Sequence, residues 1–341
     1  MKIFIRCDGG TKLGTGHIVR QLMIAKELKK EITQAEIEFL MKNIPEGVKR
    51  VEEKGFSVKI IPKTINLISE AKLIVDYLKN KNPNLLIFDV LNTSKEYIKI
   101  LKKLKTKIVS FDDHSESKYL ADLRFNILEL NRESETSGLF KGPEYVTLNS
   151  VYADYHKRKK EIKKQANKIL ITFGGSDPDN LTNKVLKALE KINKKLEINV
   201  VVGFAFPYDG ELKESIRNSK HKIKLYKNIS PQKMAELMFK CDIGIGAGGL
   251  TQYEFVCIGL PAIIICEEVE HQYKLADWFQ AKGALINLKV GKELSEEKIS
   301  ENIYELLGDY FKRKEMSFKG KKLCDGRGLK RTIAKILEVL Q

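Results

Sequence analysis

Short apolar runs and longer amphipathic ones alternate along this chain. The runs Lys2–Arg6, Glu36–Met41, Ser57–Ile61, Leu85–Asp89, Lys107–Phe111 and Leu123–Ile127 read as strands, and Ile18–Leu28 and Ile65–Leu78 between them carry apolar residues at helical spacing. Strand and helix in alternation predict a parallel sheet covered by helices on both faces. A polar, irregular stretch, Asn131 to Tyr145, breaks the pattern, and Tyr155–Gln165 (YHKRKKEIKKQ) is basic without an apolar face of any width. It reads as the crossing between two domains. The alternation then restarts: Lys168–Phe173 as a strand, GGSDPDN as a turn, Leu181–Ile192 as a helix, and Glu197–Val202, Lys222–Tyr226, Asp242–Ile245 and Pro261–Cys266 as further strands.

The second half repeats the first in outline, so the expected fold is α/β, two Rossmann-like domains whose parallel sheets face a central cleft. Ligands of such sheets bind at the carboxyl ends of the strands. The expected division is 1–150, 151–310 and a helical segment 311–341. The chain's 341 residues suit two domains of roughly 150 each. Hydrophobic residues at 43% and charged residues at 31% fit a globular protein, not a disordered or fibrous one. No apolar run approaches the roughly 20 residues that span a bilayer, and the start MKIFIRCDGG lacks the apolar core of a signal peptide. A cytoplasmic protein without membrane insertion is the expectation. Cys7, Cys241, Cys257, Cys266 and Cys324 are scattered, which suggests free thiols, not zinc ligands or a disulfide framework.

The net charge of +16 fits nucleic acid, an anionic membrane surface or an anionic small substrate. Lysines interleaved with apolar residues, as in Lys99 to Lys107 and Lys191 to Lys195, look like solvated helix faces, and no nucleic-acid-binding motif accompanies them. A small anionic substrate, with no nucleic acid, is the expected partner.

Three turns between strand and helix carry the candidate chemistry. In RCDGGTKLGTGHIVRQL, Gly14 and Gly16 let a ligand approach the first helical turn, whose free N–H groups attract anions. A dinucleotide fingerprint would need a third glycine where Val19 stands, so NAD is disfavoured and no cofactor is expected. His17 begins the helix, and the positive end of the helix dipole favours a neutral imidazole able to accept a proton as general base. A histidine that only hydrogen-bonds the loop is the bland alternative. Arg6, Asp8 and Arg20 surround it in sequence, either to hold substrate or to form structural ion pairs. In the second turn, Phe173 to Asp177, Gly175 and Ser176 either bind phosphate or cap the following helix. In the third, Gly246 to Glu254, Gly248, Gly249, Leu250 and Thr251 offer donors to a diphosphate, and Glu254 lies one helical turn on, where a carboxylate accepts from vicinal hydroxyls. His271 and Gln272 stand just past the next strand and are further cleft candidates. Asp112 and Asp113 end a strand, where alternation lets at most one face the cleft; a metal held by Asp112, Asp113 and His114 is disfavoured because successive residues rarely chelate one ion.

The segments DGGTKLGTGHIVRQLMIA, LLIFDV, VSFDDHSES, LFKGPEY, ITFGGSDPDN, GAGGLTQYEFVCIGLPAIII, EHQ and DGRG, in this order over nearly the whole chain, resemble the PseG/SpsG family. That family includes UDP-sugar hydrolases of pseudaminic acid biosynthesis and is similar to the GT-B glycosyltransferases, MurG among them. The resemblance implies that His17 activates the water that attacks the anomeric carbon and expels UDP, and that Gly14 and Gly16 correspond to the family's GxG. It assigns Gly248, Gly249, Leu250, Thr251 and Glu254 to the uridine site, with the acid on the ribose, and Gly175 and Ser176 to the turn nearer the pyrophosphate or sugar. It also implies a terminal helix that packs back on the first domain. TLNSVYADY follows GPEY where many members carry an arginine. The expected activity is hydrolysis of UDP-2,4-diacetamido-2,4,6-trideoxy-beta-L-altropyranose; glycosyl transfer and a silent nucleotide-sugar binding subunit are the alternatives.

Overall fold

A computed structural model describes residues 1–10, 16–113, 115–127 and 138–341. The chain divides into two compact units, Met1–Thr147 with Arg327–Gln341, and Leu148–Gly326. The first holds a seven-stranded sheet of β1 (Lys2–Cys7), β2 (Glu36–Lys42), β3 (Ser57–Ile61), β4 (Leu85–Asp89), β5 (Lys107–Phe111), β6 (Leu123–Asn126) and β7 (Leu139–Lys141), in the order β3-β2-β1-β4-β5-β6-β7. Every pairing in it is parallel.

The second unit holds β8 (Lys168–Thr172), β9 (Glu197–Val202), β10 (Lys222–Lys227), β11 (Ile243–Gly246), β12 (Ala262–Cys266) and β13 (Ile286–Val290), ordered β10-β9-β8-β11-β12-β13 and again all parallel. Two parallel α/β units are what the alternation predicts. β7 and β13 were not anticipated: β7 is three residues long, and β13 (INLKV) breaks its apolar run with a polar and a charged residue at the sheet edge.

In the first unit, strand alternation sorts side chains to two faces. Ile3, Ile5, Leu85 and Ile87 join one core, which receives the helix Gly16–Glu31 and, through Leu329, Ile333 and Ile336, the helix Gly328–Leu340. Phe4, Leu86 and Phe88 join the other, under the helices Leu67–Leu78 and Lys95–Leu101, which Asn66 and Ser94 cap. The segment expected to act as one piece after 310 therefore divides. The helix Tyr310–Leu323 belongs to the second unit and Gly328–Leu340 to the first, the change coming at Gly326, where φ is +73°. The basic stretch 155–165 lies inside the second unit, which begins at Leu148, so the crossing comes earlier than its composition suggested.

Arg6 shares the face of Phe4 and is 2% exposed. Its Nε donates to Glu70 Oε1 at 2.7 Å and its Nη2 to Asp8 Oδ2 at 2.7 Å, while Tyr97 Oη donates to Glu70 Oε1 at 2.9 Å. Burial opposes the guanidinium charge, and the two carboxylates outweigh it and hold Arg6 protonated. Removing one partner of such a pair strands the other's charge. Glu70→Ala should therefore destabilise the first unit by about 3 kcal/mol. Amide exchange along β1 and β4 reads that loss directly, since a chain of two units need not unfold in one step.

Candidate active site

Each sheet has one point where strand order reverses, β1 beside β4 in the first unit and β8 beside β11 in the second. Loops leaving such neighbours diverge to opposite faces and open a crevice at the strand ends. The residues singled out by sequence follow these four strands in large part.

In the first unit, Asp89 ends β4 beside Cys7, the end of β1. Asp89 is 2% exposed, and donors from one helix answer its carboxylate. His17 Nδ1 lies 2.6 Å from Oδ1, Arg20 Nη2 donates to Oδ1 at 2.6 Å and Arg20 Nε to Oδ2 at 2.8 Å, and Gln21 Nε2 donates to Oδ2 at 2.8 Å. Positions 17, 20 and 21 share a helix face, which is why three side chains reach one carboxylate. Burial pushes the Asp89 carboxyl up, but Arg20 and then His17 hold it well below the usual carboxylate range.

An ionised carboxylate only accepts, so Nδ1 of His17 carries the hydrogen, and Nε2 is the ring nitrogen left to exchange a proton with a ligand or water. The imidazole is about a quarter exposed, at 25%. Arg20 also donates through Nη1 to Asp112 Oδ2, and its guanidinium lies 5.3 Å from the centre of the Phe111 ring.

The other first-unit candidates fall as follows. Gly14 and His114 lie outside the described residues. At Gly16 a Cβ would meet nothing within 4 Å, so packing does not demand glycine there. Asp8 accepts from Arg6 and, through Oδ1, from the Lys42 amide at 2.7 Å. Arg6 and Asp8 join Glu70 on the face opposite Asp89, because β1 alternates. Asp112 accepts from the Ile127 amide at 2.9 Å as well as from Arg20. Asp113 takes the Ser115 amide at 2.9 Å and the Thr93 and Ser117 hydroxyls at 2.5 Å, which fixes the loop after β5.

In the second unit, the turn after β8 has Gly174 at φ +75°, and a Cβ on Gly203 would lie 2.5 Å from the Cα of Gly175, so the two backbones touch. Asp177, not Ser176, caps the next helix, its carboxylate accepting from the Leu181 and Thr182 amides at 2.8 and 2.9 Å. After β11, Gly249 precedes the helix Leu250–Ile258, whose first turn carries Leu250 and Thr251. A Cβ on Gly248 would meet Cys266 Sγ at 2.6 Å and Gln272 Cβ at 2.9 Å, whereas one on Gly249 would meet nothing within 4 Å. Gln272 thus packs against the glycine turn, and His271 precedes it in the first turn of the helix Glu270–Ala281. Glu254 is half-buried, and burial lifts its carboxyl to about 7, with the hydrogen bond from Tyr152 pulling the other way.

Sequence reasoning passed over Asp89, Gln21 and Tyr152. A carboxylate closing the apolar strand LLIFD was the available signal for Asp89. Tyr152 comes from TLNSVYADY, the stretch that departs from the family pattern, and nothing in its spacing points to Glu254.

A model of the glycosyltransferase family 28 C-terminal domain matches residues 168–327. The spore coat polysaccharide biosynthesis protein SpsG of Bacillus subtilis is 30% identical over 351 residues, 98% of this chain and 97% of that protein. The chain belongs to the PseG/SpsG family. An uncharacterised protein of Methanocaldococcus jannaschii is 36% identical over 86% of this chain, which spans 61% of that longer protein. The UDP-2,4-diacetamido-2,4,6-trideoxy-beta-L-altropyranose hydrolase of Campylobacter jejuni is 26% identical over 85% of the chain and 100% of its own length. Among solved structures, MurG of Acinetobacter baumannii superposes with a TM-score of 0.74 over 99% of both chains at 14% identity, which shows the GT-B fold.

The two neighbouring glycines of this PseG/SpsG protein should respond differently to a methyl group. Gly248→Ala is expected to cost about 1–3 kcal/mol by forcing Cys266 and Gln272 aside. Gly249→Ala should stay within about 1 kcal/mol of wild type. Thermal unfolding of the two variants side by side checks the contrast.

Proposed function

We propose that the protein hydrolyses UDP-2,4-diacetamido-2,4,6-trideoxy-beta-L-altropyranose, or a close diacetamido-trideoxy hexose linked to UDP, to the free sugar and UDP. The observation that carries this reading is the His17–Asp89 pair, which leaves Nε2 of a partly exposed imidazole as a proton acceptor. Water attacks the anomeric carbon, its proton passes to Nε2, and the bond from that carbon to the β-phosphate oxygen breaks with its electron pair going to UDP. Asp89 then faces an imidazolium and stabilises it, as a buried carboxylate does for a catalytic histidine elsewhere.

The diphosphate binds at the N–H groups opening the helix Leu250–Ile258, where Gly248, Gly249 and Thr251 supply donors and the dipole takes up leaving-group charge. Glu254 accepts from the ribose hydroxyls. Gly16, with Gly14, and Gly175, Ser176, His271 and Gln272 contact the sugar or the diphosphate. Arg20 and Asp112 act through Asp89 as positioning residues. The name of the C. jejuni relative, matched over its full length, supports the substrate class.

Glycosyl transfer is the second reading, favoured by the family 28 match and by the nearly full-length alignment with SpsG. The same base would then deprotonate an acceptor hydroxyl in place of water.

The deciding experiment is UDP release from a panel of UDP-sugars without acceptor. Hydrolysis predicts turnover of a diacetamido-trideoxy hexose that His17→Asn abolishes. Asp89→Asn should lower kcat by roughly 100-fold or more with KM little changed, because the ring loses its fixed tautomer. No release from any sugar, with UDP still bound, would move the assignment to transfer.

Binding of UDP should also depend on pH through Glu254. The ionised carboxylate is the form that accepts from the ribose, and its pKa is near 7. Affinity should therefore weaken about tenfold as pH falls from about 8 to about 6. The terminal phosphate of UDP titrates in the same range, so calorimetry on Glu254→Gln provides the baseline; equal pH profiles for both proteins would exclude Glu254 as the ribose acceptor. The sign is opposite for folding, since a carboxyl raised above its ordinary 4.5 stabilises at acid pH and loses that contribution as pH rises through 7.

A further inference from the structure

The helix Tyr310–Leu323 (YFKRKEMSFKGKKL) presents apolar residues to the wrong side. Its inward face consists of Arg313, Met316, Ser317 and Gly320, all buried. Phe311 and Phe318 point outward, 79% and 62% exposed, and Tyr304 on the preceding helix Glu296–Gly308 is 63% exposed. Residues seven apart stand on one line, so the two rings are about 10 Å apart on a ridge parallel to the helix axis. Helical geometry puts Lys314 and Lys321 along one flank of that ridge and Lys312 and Lys319 along the other. Lys322 lies 4.1 Å from the centre of the Phe318 ring, and Glu315, the helix's one acidic residue, pairs with Lys319 at 2.5 Å.

The basic stretch left over from the sequence lies against this same helix. Arg313, itself fully buried, donates through Nη2 to the carbonyls of Lys163 and Lys164 at 2.8 and 3.1 Å, and through Nη1 to those of Leu306 and Leu307 at 2.6 Å. Further along, Lys321 Nζ donates to the Arg158 carbonyl at 2.8 Å. Backbone carbonyls thus clamp the stretch to the helix, and the side chains of Arg158, Lys159, Lys163 and Lys164 stay exposed beside it.

We propose that this face docks the protein peripherally on an anionic lipid surface. Phe311 and Phe318 enter the boundary between headgroups and acyl chains, and the flanking lysines meet the lipid phosphates. Two rings on one straight ridge, with cations on both sides, match a helix lying in a flat interface. A second copy of the chain would bring lysine against lysine, which charge disfavours. The proposal is independent of hydrolysis or transfer.

The test is sedimentation with vesicles of phosphatidylcholine alone or with about a third phosphatidylglycerol. The protein should partition to the anionic vesicles only, and raised salt should release it. Phe311→Ser with Phe318→Ser should weaken partition about tenfold or more while thermal unfolding and UDP affinity stay at wild-type values. Lys314→Glu with Lys322→Glu should weaken it at least as much. Three results would each overturn the proposal: no sedimentation with anionic vesicles, unchanged partition of the double serine variant, or a wild-type preference for oligonucleotide over vesicles in competition. Concentration-dependent self-association that the serine variant abolishes would reassign the ridge to a protein interface.

Discussion

A carboxylate taken out of water must be answered by donors on its lone pairs, and Asp89 is where the first unit meets that requirement. Its donors are His17, Arg20 and Gln21, all from the first turns of one helix. Bonding three residues of one helical face to one buried atom group fixes both the rotation of that helix and its position along the sheet. Arg20 carries the constraint onward to Asp112 at the end of β5, so the ends of two neighbouring strands are tied through a single guanidinium. The imidazole inherits all of this. Its place, its tautomer and the direction of its lone pair follow from how Asp89 is satisfied.

Glu254 shows the opposite balance. Asp89 has charged partners and stays ionised, whereas Glu254 receives one hydrogen bond from a neutral tyrosine, and burial holds its carboxyl near 7. A half-buried acid with spare acceptor capacity is suited to a ligand that brings hydroxyl donors. Asp89 ends a strand at one sheet's switch point and Glu254 lies in the helix that follows the other's, and one is used up by the protein whereas the other is not. That difference separates a residue that positions from a residue that binds.

Much of the fold was legible because parallel strands buried on both faces read as uninterrupted apolar runs. LLIFD and KILIT are placed as the sequence suggests. β7 and β13 were not, since an edge strand needs less apolar surface and theirs is short or broken by polar residues. Within the site, glycine turns and His17 were visible as local spacing. Asp89 and Tyr152 act across 72 and 102 residues of chain, respectively, so only the folded register brings each to its partner. Arg6 stands two residues from Asp8 and eleven from His17, which suggested a shared site. The pleat of β1 sends it instead to Glu70, on the other face.

Charge was the least legible property, because composition sums what folding sorts. Lys191 and Glu297 meet at 2.8 Å, and Lys240 and Glu236 at 2.5 Å, so those lysines are answered locally. The cations of 158–164 and of Tyr310–Leu323 are about 150 residues apart in sequence, and no periodicity links them. The buried guanidinium of Arg313 links them, donating to two carbonyl oxygens of the basic stretch and to two at the end of the preceding helix. A buried cation satisfied by backbone neutralises none of the charge around it. The surface it organises keeps an excess of cations, with Glu315 answering Lys319 alone on the helix, next to two exposed phenyl rings, and that combination, not the net charge, distinguishes this face from the solvated helices elsewhere on the chain.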